Sequence, residues 1–228
     1  MSIAILTPSR GRPDRYADML YAARSLAEQP SELAFYLYLD DDDPERDGYA
    51  TEDVAVELVV GPRLRFTRSV NRLAERALPL TGGHDVIGVL GDDVLPRTSG
   101  WDVAVRSAMT ALGGGLVWCA DGWQDDRLPT HPFWDSRVIE AVGFYAPSCL
   151  AHMYGDNYWR RLARDLGRWS YLPDVLIEHM HPDAGKAELD PSYRQSAAEM
   201  QPDAAAWRRF VDSNDYDRAL ARAKTVYL

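Results

Sequence analysis

Two adjacent carboxylates, Asp92 and Asp93, close the apolar run Val86-Ile87-Gly88-Val89-Leu90-Gly91. At the tip of a buried strand they offer hard oxygen donors with a low-dielectric wall behind them, a setting that suits a magnesium or manganese ion. Two more polar clusters follow apolar runs in the same way: Thr7-Pro8-Ser9-Arg10 after Ile3 to Leu6, and Asp40-Asp41-Asp42-Asp43 after Leu33 to Leu39. Ligands of open α/β sheets collect at the carboxyl ends of strands, so three clusters on successive strands predict one shared binding rim. Any one of them alone is equally what a solvated loop presents. A further set, His179-Met180-His181, stands beside Glu178 and Asp183. Period-2 alternation puts both imidazoles on one face, as a metal ligand pair or as structural histidines. In Gly185-Lys186, a glycine that admits close approach adjoins a cation able to neutralise a phosphate.

The chain has no G-x-G-x-x-G after the first run and no G-x-x-x-x-G-K-[ST] anywhere. That removes the main support for dinucleotide and P-loop readings. A nucleotide held without a glycine cradle needs another device for its phosphates, and a divalent cation on paired carboxylates is one.

The elements that must hold these residues alternate in period. Strands are expected at Ile3 to Leu6, Leu33 to Leu39, Val54 to Val60, Val86 to Leu90, Leu116 to Cys119 and Tyr171 to Met180, the last despite Pro173. Helical spacing runs from Pro13 through Tyr16, Met19, Leu20 and Ala23, from Val70 to Leu78, from Trp101 to Leu112, and from Gly155-Asp156 to Leu166. This alternation predicts an α/β fold with a mostly parallel mixed sheet flanked by helices. Asp121 to Pro132 reads as a functional loop, with Trp123 and Trp134 as candidates for a substrate wall, while Trp101, Trp118 and Trp159 sit on apolar faces as core. Beyond Pro191 the chain looks helical and polar, with a breaker at Pro202. Residues 1–228 read as a single domain with a polar helical extension from about residue 190.

The 228 residues carry a formal charge of −10, with 46% hydrophobic and 26% charged side chains, an ordinary globular composition. The acidity disfavours broad adhesion to nucleic acid or anionic membrane, though a local basic groove stays possible. Cys119 and Cys149 make neither a disulfide framework nor a four-ligand zinc site, and read as small core fillers. No apolar run approaches the length of a membrane span and the N-terminus lacks a signal-peptide layout, so no membrane association and a cytoplasmic location are expected.

Thr7-Pro8-Ser9-Arg10, the acidic strand end at Asp40, and Leu90-Gly91-Asp92-Asp93 together resemble the GT-A fold glycosyltransferases, in particular the family-2-like group, over roughly Ser2 to Pro182. Phage-encoded members are among those it resembles. The resemblance implies a Rossmann-like nucleotide-binding fold and a metal-dependent, inverting transfer of a hexosyl or pentosyl group from a nucleotide sugar, a UDP-sugar first, to a hydroxyl. It implies that Pro8 and Arg10 line the nucleotide pocket, that Asp40 holds the base or ribose, and that Arg65, Arg68 and Asn71 reach the nucleotide. Gly91-Asp92-Asp93 matches the Asp-x-Asp metal motif with glycine at its first position. Asp93 would then bind Mn2+ or Mg2+ with His179 or His181, Asp92 would face the donor, and Lys186 would contact the diphosphate. Asp156 matches the base that deprotonates the acceptor, although aspartate there is also an ordinary helix cap, with Asp125 and Asp126 in reserve. The acceptor class stays open between small molecule, glycan, protein and hydroxymethylated DNA base. Arg160, Arg161, Arg164 and Arg168 form either a basic stripe or a solvated helix face. Two alternatives accompany this reading: a sugar-phosphate nucleotidyltransferase, for which Arg10-Gly11-Arg12 is a thin basic loop, and a non-catalytic nucleotide- or carbohydrate-binding module.

Overall fold

Side chains alternate across a strand, and here both faces of the first strands are buried. In β1 (Ile3–Ser9), Ile3 and Ile5 enter one core while Ala4 and Leu6 enter the other. Burial on both faces is the property of a parallel sheet covered by helices. The computed structural model describes residues 1–49, 56–78 and 83–228. Within them the chain continues through α1 (Pro13–Ser25), β2 (Leu33–Asp40), β3 (Val56–Gly61), α2 (Arg65–Ala77), β4 (Val86–Val89), β5 (Val94–Pro96) and α3 (Trp101–Leu112). There follow β6 (Leu116–Ala120), β7 (Phe133–Asp135), α4 (Ser136–Val142), α5 (Gly155–Leu166), β8 (Trp169–His179), α6 (Pro191–Asp212) and α7 (Asn214–Lys224).

The strand order is β3-β2-β1-β4-β7-β6-β8-β5. β1 pairs in parallel with β2 and β4, β2 with β3, and β6 with β8; β7 runs antiparallel to β4 and β6, and β5 antiparallel to β8. The two antiparallel pairings of β7 cancel, so β4 and β6 point the same way. The carboxyl ends of β1, β2, β4, β6 and β8 therefore open on one rim. This is the mostly parallel mixed sheet flanked by helices that the sequence predicts. α1 and α3 cover one face through Tyr16, Met19, Trp101 and Val105, while α2, α4, α5 and α7 cover the other. Trp101 is fully buried and its indole N–H donates to the Ala23 carbonyl at 3.0 Å, so the polar atom does not oppose the gain from burying the ring.

Several expectations change. The third strand starts, among the described residues, at Val56; Val54 lies outside them. The fourth ends at Val89, because Leu90 and Gly91 already belong to the crossing toward β5. Pro173 is tolerated because the β6–β8 register shifts there: Cys119 faces Leu172, but Ala120 faces Leu176, and a bulge spares the ladder a donor that proline lacks. Pro202 does not break the helix. It lies within α6, where one missing N–H is outweighed by anchors on either side, Tyr193 before it and Asp203 and Phe210 after it being buried. Trp134 is wholly buried in β7 and lines no substrate wall. Cys149 is exposed rather than a core filler, while Cys119 is buried as expected. The polar C-terminal stretch also contributes Phe210, Tyr216, Ala219 and Ala223 to the core. No helix among the described residues is long and apolar enough to cross a membrane.

Candidate active site

The Gly91-Asp92-Asp93 segment leaves β4 and turns into β5, whose Val94 pairs with His179 at the end of β8. That turn brings the acidic motif against the late histidine. A Cβ on Gly91 would lie 2.7 Å from Asp93 Oδ1, so the glycine makes room for the Asp93 carboxylate. Asp92 is buried; its carboxylate accepts the Ser9 hydroxyl at 2.6 Å and Arg12 Nη1 at 2.8 Å. Burial and the neighbouring Asp93 raise its pKa against the pull of Arg12. Asp93 Oδ2 accepts the Tyr193 hydroxyl at 2.8 Å and faces His179 Nε2 at 3.6 Å and Arg12 Nη1 at 3.7 Å. Burial opposes its charge, yet His179, Arg12 and Tyr193 hold it well below the usual carboxylate range.

His179 stands between two carboxylates, since its Nδ1 is 3.9 Å from Asp121 Oδ2. Burial alone would lower its pKa, but Asp121 and Asp93 outweigh burial and bring it to about 9. Asp121 was not singled out by the sequence beyond opening the functional loop. It is buried and accepts the backbone N–H groups of Trp123, Gln124 and Asp125 at 2.8, 2.6 and 2.8 Å, which fixes that loop over the rim. Trp123 then stacks on His181 with centroids 4.2 Å apart. His181 lies just past the strand, its Nδ1 accepting the Asp183 N–H, so His179 is the histidine that faces Asp93. Lys186 reaches the same loop through the Gly122 carbonyl at 3.3 Å and pairs with Glu178 at 2.9 Å.

The other predicted residues lie at the ends of β1 and β2, on α2 and in the first turn of α5. Pro8 lies in β1 opposite Tyr38, and beyond it Arg10 pairs with Asp40 at 3.0 Å and with Asp42. Burial raises the Asp40 pKa, opposed by Arg10. Arg65 begins α2 and pairs with Glu199 of α6; Arg68 Nε donates to the Ser148 carbonyl at 3.1 Å. The Asn71 amide accepts the Tyr145 and Ala146 N–H groups and donates to the Ala146 carbonyl and Ser148 hydroxyl, tying that loop to α2. Asp156 sits in the first turn of α5, half-buried, and accepts the Asn157 N–H at 2.8 Å. Burial raises its pKa, while the charge of His179 pulls it down. Asp156 makes no direct contact with Asp93 or His179 that the structure records.

Among the described residues, three non-glycine positions hold left-handed backbone: Arg65 at φ 66°, Asp125 at 48° and Tyr154 at 69°. Such conformations cost on the order of 1–3 kcal/mol each and concentrate where surroundings over-determine the chain. All three border the rim, at the start of α2, in the Trp123 loop and just before Asp156.

Among the described residues no group of three His, Cys, Asp or Glu side chains is placed to hold a metal ion. Asp93 and His179 supply two donors, fewer than an all-protein cage needs. Two donors do suit a cation that takes its other ligands from substrate phosphate and water. Arg12, Asp190 and Tyr193, which close this corner, escaped sequence reasoning: Arg12 and Asp190 lie 178 positions apart. The only signal was the basic Arg10-Gly11-Arg12 loop.

The sheet order and its rim define a GT-A-like α/β fold. No protein-family model matches the chain, and no curated protein matches it by sequence. Solved structures match by fold. The mannosyltransferase PcManGT from Pyrobaculum calidifontis, in complex with GDP-Man and Mn2+, aligns with a TM-score of 0.67 at 16% identity, over 99% of this chain and 70% of that one. S. aureus TarS 1-349 in complex with UDP aligns at 0.60 and 12% identity, covering 94% of this chain and 73% of that one. Its complex with UDP-GlcNAc aligns at 0.60 and 11% identity, over 94% and 74%. At these identities the likeness establishes a shared fold.

Proposed function

We propose that this protein is a glycosyltransferase that moves a sugar from a nucleotide-sugar donor to a hydroxyl acceptor. The observation that carries the reading is the Asp93–His179 pair, 3.6 Å apart on the carboxyl rim. PcManGT and TarS support it, since structures of this fold hold GDP-Man with Mn2+ and UDP-GlcNAc. Asp93 and His179 would hold a manganese or magnesium ion, which supplies charge neutralisation for a leaving diphosphate.

The chain's own groups divide the remaining work. Pro8, Arg10 and Asp40 bind the base and ribose at the ends of β1 and β2, and Arg65 and Arg68 approach the nucleotide from α2. Asn71 acts on the same side by fixing the Tyr145–Ser148 loop. Lys186 stands toward the diphosphate, and Trp123, stacked on His181, offers a ring face to a sugar. Asp156 accepts the proton of the attacking hydroxyl, a role that burial favours by raising its basicity. The hydroxyl oxygen bonds to the anomeric carbon, the bond to the phosphate oxygen breaks, and its electron pair leaves with the nucleoside diphosphate, inverting the centre. Residues 1–228 act as one catalytic domain in the cytoplasm.

A panel of UDP- and GDP-sugars tests this by thermal shift and by manganese-dependent hydrolysis. Wild type should bind at least one donor, Asp93→Ala should lose that response, and Asp156→Asn should keep binding but lose transfer. A wild-type protein that binds no nucleotide sugar overturns the proposal.

A further inference from the structure

Arg12 is almost enclosed, its side chain 10% exposed, and three carboxylates converge on it. Nη1 is held by Asp92 at 2.8 Å. The other edge of the guanidinium makes a two-pronged contact with one acid: Nε to Asp190 Oδ2 at 2.8 Å and Nη2 to Asp190 Oδ1 at 2.9 Å. Arg15 Nη1 lies 3.5 Å from the same carboxylate. A planar fork on two oxygens of one acid is also how arginine binds a phosphate, and a second arginine alongside is in excess of what one carboxylate needs.

The acid comes from far along the chain. Asp190 caps α6, accepting the Tyr193 N–H at 3.0 Å. Tyr193 lays its ring against Arg12, 4.3 Å from the guanidinium carbon to the centroid. Its hydroxyl donates to Asp93 Oδ2 and lies 3.0 Å from the Met180 carbonyl. One helical turn thus covers both the arginine fork and the carboxylate that faces His179.

We propose that Arg12 and Arg15 form a phosphate subsite, and that the Asp190 carboxylate fills it as an internal stand-in until a phosphate displaces it. This rests on the donor reading above for its natural occupant, a phosphate of the nucleotide diphosphate; free pyrophosphate presents the same chemistry. Asp92 keeps its hold on Nη1 throughout, so the fork stays aimed while Asp190 and the phosphate exchange. Departure of the α6 turn carries the Tyr193 hydroxyl away from Asp93. Phosphate binding and exposure of Asp93 are then one event.

Competition makes this measurable. A subsite that is open about a tenth of the time shows about tenfold weaker apparent affinity than one always open. Inorganic pyrophosphate and UDP should be titrated calorimetrically, in chelator, into wild type, Asp190→Asn and Arg15→Gln. Asp190→Asn should bind pyrophosphate about five- to tenfold more tightly, and Arg15→Gln more weakly than wild type. If Asp190→Asn does not fold, Tyr193→Phe removes the hydroxyl bonds of the turn and should tighten pyrophosphate about two- to threefold. Pyrophosphate affinity unchanged in the folded variants overturns the subsite, which then is a structural ion pair only. The two proposals fail separately: tighter pyrophosphate without binding of any nucleotide sugar sinks the donor reading, and a bound nucleotide sugar with unchanged pyrophosphate affinity sinks the subsite.

Discussion

Removing the Asp203 carboxylate should loosen the approach to α5 more than any exposed substitution could. Asp203 is buried in α6, and its two oxygens accept three consecutive backbone N–H groups, those of Ala151, His152 and Met153, at 2.8, 2.8 and 2.7 Å. Those residues lead directly into α5, whose cap residue Tyr154 provides no side-chain hydrogen bond. Asp203 therefore satisfies donors that nothing local can. A hydrogen bond to a charged group contributes about 1.5–3 kcal/mol, and the three share one carboxylate in a half-buried stretch that water can partly reach. For Asp203→Ala we expect a loss of about 3 kcal/mol, which for a protein of this size lowers Tm by about 6–12 °C. Asp203→Asn keeps one acceptor oxygen and should lie between the two. Urea and thermal unfolding give the stabilities. Turnover with an identified donor and acceptor gives a second readout, since Asp156 follows the same stretch and should be displaced without loss of donor affinity. An Asp203→Ala protein within about 1 kcal/mol of wild type refutes the reasoning, because three stranded donors could not cost so little.

Gly91→Ala should weaken manganese-dependent donor binding, because the added Cβ meets Asp93 Oδ1 at 2.7 Å and turns that carboxylate aside; a variant with wild-type donor affinity in manganese refutes this. The stability that comes from keeping His152 and His84 buried and neutral should be lost as pH drops from about 6.5 toward 4. Burial holds the His152 pKa down from 6.5 to about 4 and lowers that of His84 too, so below 6.5 the unfolded chain takes up protons that the folded chain refuses. Urea midpoints across that window check it, and His152→Gln should flatten the decline; an unchanged slope in that variant removes His152 as a cause.

β1, β2, β4 and β6 were legible because each is buried on both faces and reads as an unbroken apolar run, whereas β3 and β8 are largely exposed or half-buried and showed only as short β-branched stretches. The ends of the strands were legible too, and they placed Asp93 and His179, 86 positions apart by their numbers, on one rim. β5 and β7 were not, since three residues are too few to show a period. Pro173 and Pro202 misled or threatened to, because proline is judged locally and each is carried by long-range pairing, a shifted register in one case and the Asp203 anchor in the other. Trp123 and Trp134 looked alike in an irregular segment, yet β7 takes Trp134 into the core and leaves Trp123 beside His181. Asp190 and Tyr193 carried no local mark: nothing in a polar helix start says that it docks on an arginine near the other end of the chain.

The strand order dictates how the sheet closes. β4 and β5 are consecutive in the chain but stand fourth and eighth in the sheet. Four flat strand spacings would be about 19 Å, whereas the five steps from Val89 to Val94 reach about 18 Å only at full stretch. Val94 N–H donates to the Gly91 carbonyl at 3.3 Å, so the segment is a turn and far from full stretch. The sheet must therefore roll until its last strand comes round toward its middle. Asp92 and Asp93 occupy a drawstring, and the chemistry of the rim exists only once the string is pulled tight. Lengthening this segment by a residue or two would relax the curvature and separate Asp93 from His179 in a single stroke, even with every side chain of the site intact.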